Sequence, residues 1–271
     1  MSDKLIASVG VTRVTRASAI RDEDVLAVEE PLEIRAAWSP AEEPREKSIA
    51  VTMRTPGHDA DLACGFLFTE GLIRSAGDIE SVRHWGSPNV IRIALRSGVK
   101  LDAGKLERHF YTTSSCGVCG KTSIEALRVI TSCATAAMQP IDADLIHRLP
   151  QVLQEQQIAF RATGGLHGAA IVDAGGALLR IREDIGRHNA VDKVIGSLFR
   201  EGMSPPPGAT LMVSSRASFE LVQKAVVAGI QVLAAVGAPS TLAVELAREF
   251  NVTLLGFVRD GRFNVYNGEV R

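Results

Sequence analysis

The chain has 271 residues, 46% of them hydrophobic, and a formal net charge of −1. That length and apolar content support one large domain or two modest ones and argue against wholesale disorder, while the missing basic excess argues against a dedicated nucleic-acid binder. No apolar run approaches the ~20 residues that a membrane-spanning helix needs, and the opening MSDKLIASVGVTRVTRAS lacks the apolar core and cleavage site of a secretory signal, so no membrane insertion and a cytoplasmic location are expected.

The first 28 residues are polar and weakly patterned, and a poorly ordered start is expected there. PLEIRAAW (31–38) and SIAVTMR (48–54) alternate like half-buried strands. TPGH (55–58) is a turn. Asp59 is placed to cap a helix running to Glu70, with Gly71 placed to end it. NVIRIAL (89–95) is a third strand. Residues 29–113 therefore read as a small α+β domain.

RHFYTTSSCGVCGKTS (108–123) is a loop rich in Ser, Thr and Gly. A helix follows it, opened by a capping box, Thr122-x-x-Glu125, with an apolar stripe at Ile124, Leu127 and Ile130. A further helix is expected across 142–157, bent or broken at Pro150. From residue 169 the rhythm changes. AAIVDA (169–174) and GALLRIRE (176–183) are strands and 188–199 is a helix. SPPPG (204–208) is a rigid connector. Strands at TLMVSS (210–215), QVLAAVG (231–237), VTLLGFV (252–258) and RFNVY (262–266) then alternate with helices at FELVQKAVVAG (219–229) and STLAVELAREF (240–250). That alternation predicts βαβ units and a mainly parallel sheet with helices on its faces, in a second domain covering 114–271.

Chemistry concentrates at a few places. Of the four cysteines, Cys116 and Cys119 form a CxxC inside SSCGVCGK, with Cys64 and Cys133 elsewhere. An intracellular chain of this size does not need structural disulfides, so the pair points to sulfur, redox or metal chemistry. The thiolate is the nucleophile in sulfur exchange. A following helix N-terminus and Lys121 both favour that charge. A structural zinc would want a second Cys or Cys/His pair at short spacing, which Cys64 and Cys133 do not supply, and no structural metal is expected. None of the six histidines begins the H-x-E of a zinc deaminase, and Ser115 replaces the proline of its P-C-x-x-C.

EDIGRHNAVDK (183–193) crowds Asp184, Arg187, His188, Asn189, Asp192 and Lys193 around a helix entrance. A ligand site and a well-capped helix with an Asn189–Lys193 pair explain this equally well. TGGLHG (163–168), with His167, suits close backbone approach to a ligand or an ordinary turn. SSRASFE (214–220) and GAPSTLA (237–243) are strand–helix junctions with Ser218 and Ser240 as caps. Helix starts at the carboxyl ends of parallel strands bind phosphate well, and Arg216 stands ready to clamp one. GFVRDGRFNVY (256–266) places Arg259 and Arg262 around an Asp-Gly turn, either a phosphate clamp or a plain hairpin.

Together these segments resemble the formate dehydrogenase accessory sulfurtransferase family. The resemblance runs from Glu29 to the C-terminus through EEPLEIR, VTMRTPGHDADLACGFLFTEGLI, SSCGVCGK, TGGLHGAA, EDIGRHNAVDKVIG, SFELVQKAVVAGI, APSTLAVELA and GFVRDGRFNVY. It implies a carrier that takes persulfide sulfur from a cysteine desulfurase and passes it to the bis(molybdopterin guanine dinucleotide) cofactor of the formate dehydrogenase catalytic subunit. Cys116 would bear the persulfide, with Cys119 as its partner. Phe257, Val258, Arg259, Asp260, Gly261 and Arg262 would contact the cofactor, whose GDP moiety should bind as a fragment, with Arg216, Ser218, His167 and His188 as further candidates. The family also implies a homodimer and a cytidine-deaminase-like α/β/α second domain. Ser214-Ser215-Arg216 departs from the family's Ser-Gly-Arg, placing a Cβ where a ligand would approach. Two rival classes are a chaperone that holds the cofactor without covalent sulfur chemistry and a zinc-stabilised interaction protein.

Overall fold

The computed structural model describes residues 5–39, 45–99, 101, 140–259 and 261–271. Three sheets organise them. Strands β1 (Ile6–Val14) and β2 (Ala19–Ala27) form an antiparallel hairpin, which corrects the expectation of an unstructured start. The register keeps mixed residues on both faces, for example Val9 opposite Asp24 on one and Ser8 opposite Val25 on the other. With neither face wholly apolar, the sequence shows no clean alternation.

The second sheet has the order β4-β3-β6-β5, built from β3 (Glu30–Trp38), β4 (Arg45–Arg54), β5 (Ile79–Trp85) and β6 (Ser87–Leu95). Leu32, Ile34, Ile91 and Ile93 pack against Leu62 and Leu67 of helix α1 (Asp59–Thr69). The helix cap is His58, in a left-handed conformation (φ 55°), rather than Asp59. Asp59 is instead the first helical residue, held by the buried Arg54 guanidinium at 3.0 Å. The end expected at Gly71 is present: Gly71 N donates to Phe68 O and Leu72 N to Leu67 O, the double bond of a Schellman stop.

The third sheet has six strands in the order β12-β11-β10-β9-β7-β8. They are β7 (His167–Val172), β8 (Leu178–Asp184), β9 (Thr210–Val213), β10 (Val232–Ala235), β11 (Thr253–Arg259) and β12 (Arg262–Asn267). Alternate residues serve opposite faces. Ala169, Ile171, Leu211, Leu233 and Leu254 meet helices α4 (Arg187–Arg200), α5 (Phe219–Val227) and α6 (Thr241–Glu249). Ala170, Val172, Met212, Ala234 and Leu255 meet α2 (Ala143–Gln156), which the short α3 (Ile158–Thr163) follows. The sheet is mixed rather than mainly parallel. Only β9, β10 and β11 run parallel, while β7 pairs antiparallel with β8 and β9, and β11 with β12. The turns after Val172 and Arg259 are too short for the crossover that parallel neighbours require. Helix α2 also continues through Pro150. Proline removes one backbone donor, but Leu145, Ile146, Leu149 and Leu153 hold both halves in the core.

Helices α1 and α4 cross where two glycines face each other's backbone. A Cβ added at Gly65 would lie 1.9 Å from Asp192 O, and one at Gly196 would lie 1.9 Å from Asp61 O. This contact joins the four-stranded and six-stranded modules, and Phe68 stacks on Phe199 beside it at 4.5 Å. Asp61, on α1, reaches across to Arg182 at 2.8 Å and Arg200 at 2.6 Å. Among the described residues no helix is long and apolar enough to cross a membrane.

Candidate functional site

The polar run at the entrance of α4 resolves into two groups. Most of it is consumed by the join between modules. Asp184, wholly buried, lies 2.7 Å from Lys193 Nζ and accepts from Thr55 N and Gly186 N. Lys193 also donates to Thr55 O at 2.8 Å. Asn189 donates to Met53 O and to Asp184, so the expected Asn189–Lys193 pair does not form. Asp192 accepts from Thr69 Oγ1 and pairs with Lys224, which also reaches Glu70. Burial works against the Lys224 ammonium, yet Asp192 and Glu70 outweigh it and hold the pKa above the usual lysine range. Glu183 accepts from the first N–H groups of α3, at Ala159 and Phe160. These residues are structural. Arg187 and His188 are left over.

Those two side chains stand with His167, Ser214, Ser218 and Glu220. Ser214 Oγ accepts from Gly168 N at 2.9 Å and lies 3.5 Å from His167 Nδ1. Burial, then the charges of Arg187 and His188, keep the His167 imidazole below its ordinary pKa. His188 Nε2 is 3.8 Å from the Glu220 carboxylate. The neighbouring imidazole holds Glu220 down to about 2, against the cost of burial, with the Ser218 hydroxyl assisting. Arg187 belongs to the polar run at 183–193, for which the sequence leaves a ligand site and a capped helix equally open, whereas Ser214 and Glu220 carry no signal beyond lying two residues from Arg216 and Ser218.

The three strand–loop junctions lie side by side. Val236 N donates to Val213 O, Gly237 N to Ser215 O, and Phe257 N to Gly237 O. Ala217 and Pro239 form an isolated parallel bridge. Gly237 lies tight against the neighbouring backbone, since a Cβ there would come within 3.0 Å of Arg216 Cα. Ser240 caps α6 by accepting from Ala243 N at 3.2 Å, whereas Ser218 occupies the cap position of α5 without making that bond among the described residues. Ser215 is buried, and its hydroxyl donates to Arg216 O. Phe257 has φ 54°, an uncommon conformation for a bulky residue, at a register irregularity between Gly256 and Arg259. Its backbone is held by the bond to Gly237. The Val258 side chain is buried in the α2-side core. Arg216, Arg259, Gly261 and Arg262 are exposed, and the Arg259 guanidinium lies 6.0 Å from the Phe257 ring.

Cys116, Cys119, Lys121, the helix expected after them, Cys133 and Asp260 lie outside the described residues. Cys64 is described and is fully buried on α1, where burial, against a smaller opposing pull from Arg200, pushes its thiol up to about 12. A thiol so placed is inert. In the native protein near neutral pH, iodoacetamide should therefore leave Cys64 unmodified while Cys116 reacts, as digestion and mass spectrometry would report. Labelling of Cys64 as fast as Cys116 would refute the contrast. No group of three or more His, Cys, Asp or Glu side chains able to hold a metal ion occurs among the described residues. A cleft of about 310 Å³ lined by His58, Asp61, Arg182, Ser197, Arg200 and Glu201 holds none of the candidate residues.

Comparisons with known proteins agree on one family. The FdhD/NarQ family model matches residues 27–271. A sulfur carrier protein FdhD from Nocardia farcinica is 47% identical, with 100% of this chain and 96% of the relative covered. The sulfur carrier protein FdhD from Streptomyces avermitilis is 45% identical, with 96% and 93% covered. A crystal structure described as a formate dehydrogenase accessory protein from Desulfotalea psychrophila matches with a TM-score of 0.75 at 22% identity, over 97% of each chain. That likeness shows a shared fold.

Proposed function

The chain belongs to the FdhD/NarQ family, and on that footing we propose that it is a sulfur carrier, a cytoplasmic sulfurtransferase working through a persulfide on Cys116. The observation that carries this reading is the family match over residues 27–271 in a chain that contains SSCGVCGK. A cysteine desulfurase persulfide would be the donor. The Cys116 thiolate attacks its outer sulfur, the donor S–S bond breaks, and the donor leaves as a thiolate, with no net oxidation. Attack by Cys119 on the Cys116 persulfide would then release hydrosulfide and leave a Cys116–Cys119 disulfide. The two electrons that reduce the sulfur come from the dithiol. The recipient would be the bis(molybdopterin guanine dinucleotide) cofactor destined for the formate dehydrogenase catalytic subunit. A homodimer and a cytidine-deaminase-like second domain belong to the same reading; the parallel β9-β10-β11 core with helices on both faces supports the latter. The test is intact mass after incubation with a desulfurase and cysteine. One added sulfur located on Cys116 is expected, and no adduct, or an adduct elsewhere, would defeat the proposal.

The nucleotide end of that cargo would use the adjoining junctions. Helix starts and guanidinium groups suit its phosphates; Arg259 and Arg262 face solvent, with the Arg259 guanidinium beside the Phe257 ring. A charge-assisted hydrogen bond contributes about 1.5–3 kcal/mol, so Arg262→Ala should weaken GDP roughly tenfold or more. Calorimetry on the wild type, Arg259→Ala and Arg262→Ala checks this. Equal affinities in all three would make the segment a plain hairpin.

A further inference from the structure

Among the described residues the β1–β2 ribbon is the one sheet with only two strands. A two-stranded hairpin is at best marginally stable in water by itself. This one is anchored at its base, where Leu5 lines a cleft with Pro56 and Leu166, and Ala27 lies beside Gly165. Toward its turn Val14 and Ile20 are 72% and 54% exposed. Almost all of the ribbon precedes residue 27, where the match to the family model begins.

The ladder fixes which backbone groups are spare. Val28 N donates to Leu5 O and Thr15 N to Ser18 O, at the two ends of a register that pairs Ile6 with Ala27 and Val14 with Ala19. Bonded and unbonded pairs alternate along an antiparallel ladder, so the odd-numbered residues of β1 bond to β2. The N–H and C=O groups of Ile6, Ser8, Gly10, Thr12 and Val14 therefore point to the outer edge of β1, which no described strand covers. The two outer edges of the ribbon differ. On β2 the outward N–H groups of Glu23 and Val25 are taken by the side chains of Asp22 and Asp24, at 2.8 and 2.9 Å. β1 has a single charge, Arg13, and no proline, so it lacks the features that keep an exposed edge from pairing.

We propose that the outer edge of β1 pairs antiparallel with β1 of a second copy of this chain, across a twofold axis at Gly10, giving a four-stranded sheet in the order β2-β1-β1-β2. The contact rests on the homodimer of the proposed function and supplies its surface. About Gly10 the strand is compatible with its own reverse. Every outward residue meets an outward residue of the other copy: Ile6 opposes Val14, Ser8 opposes Thr12 and Gly10 opposes Gly10. Between them Val9 opposes Val11, and Ala7 opposes Arg13. Apolar pairs and Ser–Thr pairs directly across a ladder are stabilising. The same operation on β2, about Glu23, sets Glu23 against itself and Asp22 against Asp24, and like charges directly opposite repel. An isologous contact needs a self-complementary surface, and of the two edges β1 has it.

Light scattering after size-exclusion chromatography of the full chain, at micromolar concentration, tests the contact. The wild type should have twice the 29.0 kDa of one chain. Proline has no N–H to donate. At Ser8 and Thr12 that group points away from β2, so Ser8→Pro combined with Thr12→Pro spares the hairpin's own ladder. The double variant should raise the dimer dissociation constant about a hundredfold or more. Glu23→Pro, the same change at an outward position of β2, should leave the dimer intact. Gly10→Cys gives a readout that does not depend on proline being tolerated. Bonded residues directly opposite each other lie about 5.5 Å apart, within the reach of a disulfide. Oxidation should link two chains through that position, as digestion and mass spectrometry would show. A wild-type mass of 29.0 kDa would overturn the contact and the homodimer together. A dimer that survives the double proline variant and yields no Gly10→Cys link, or one that Glu23→Pro dissociates equally, would overturn the contact and keep the homodimer.

Discussion

Replacing Cys116 with alanine should abolish sulfur transfer, so that formate dehydrogenase activity in cells relying on this chain falls to the level of a deletion. The effect is expected to be all or nothing because the acceptor atom itself is removed. A persulfide needs a thiolate to form on, and neither a methyl group nor the neighbouring Cys119, whose partner would be gone, can complete a cycle that ends in a disulfide. Cys119→Ala should behave differently: a sulfur adduct still forms on Cys116, but turnover stops at that stage. Intact mass on the purified variants separates the two, and formate dehydrogenase assays in complemented cells report the outcome. Full activity from Cys116→Ala would mean that the chain acts by holding the cofactor and not by carrying sulfur.

The largest loss of stability is expected from Lys193→Met. Lys193 and Asp184 are both essentially inaccessible, 2.7 Å apart, and the ammonium also donates to Thr55 O. Methionine fills much of the same volume but leaves the Asp184 charge buried with only amide donors. Removing one partner of a buried pair costs about 3–5 kcal/mol. Lys193→Met combined with Asp184→Asn should recover part of this, since the stranded charge disappears. Denaturant unfolding of the wild type, the single and the double variant measures both effects. A loss under about 1 kcal/mol in the single variant would show that water reaches the pair.

Much of this architecture is legible in the sequence, and the exceptions have physical causes. The second module is readable because its buried strands and amphipathic helices alternate at regular spacing. β5 is not, because Ile79, Val82 and Trp85 recur every third residue while the register slips at Ile79/Ser81 and again at His84/Trp85. A strand with two irregularities shows no period of two. The expected mainly parallel sheet fails at β7 and β8, because the connection after Val172 is too short for a crossover, whereas the Asp-Gly turn at 260–261 already admits the antiparallel β11–β12 pair. The site divides in the same way. The junctions at Ser218, Ser240 and Arg259 announce themselves by residue type, whereas nothing local separates Arg187 from its polar neighbours at the start of α4. What sets Arg187 apart is that Asp184, Asn189, Asp192 and Lys193 are taken up by partners more than a hundred residues distant or by each other. No local pattern records that.

The glycine crossing of α1 and α4 bears on how members of this family could be recombined. Gly65 and Gly196 each face a main-chain oxygen of the opposite helix, so an alanine on either side has no flexible side chain to displace. A chimera that takes its four-stranded module from one relative and its six-stranded module from another would inherit one glycine from each parent. It would also inherit half of each ionic set: Thr55, Asp61, Thr69 and Glu70 from the first, Arg182, Asp184, Asp192, Lys193, Arg200 and Lys224 from the second. Module swaps should then succeed or fail according to whether both parents carry this one seam, whatever their identity elsewhere, and a parent with a side chain at either crossing position would yield a chimera whose halves cannot seat.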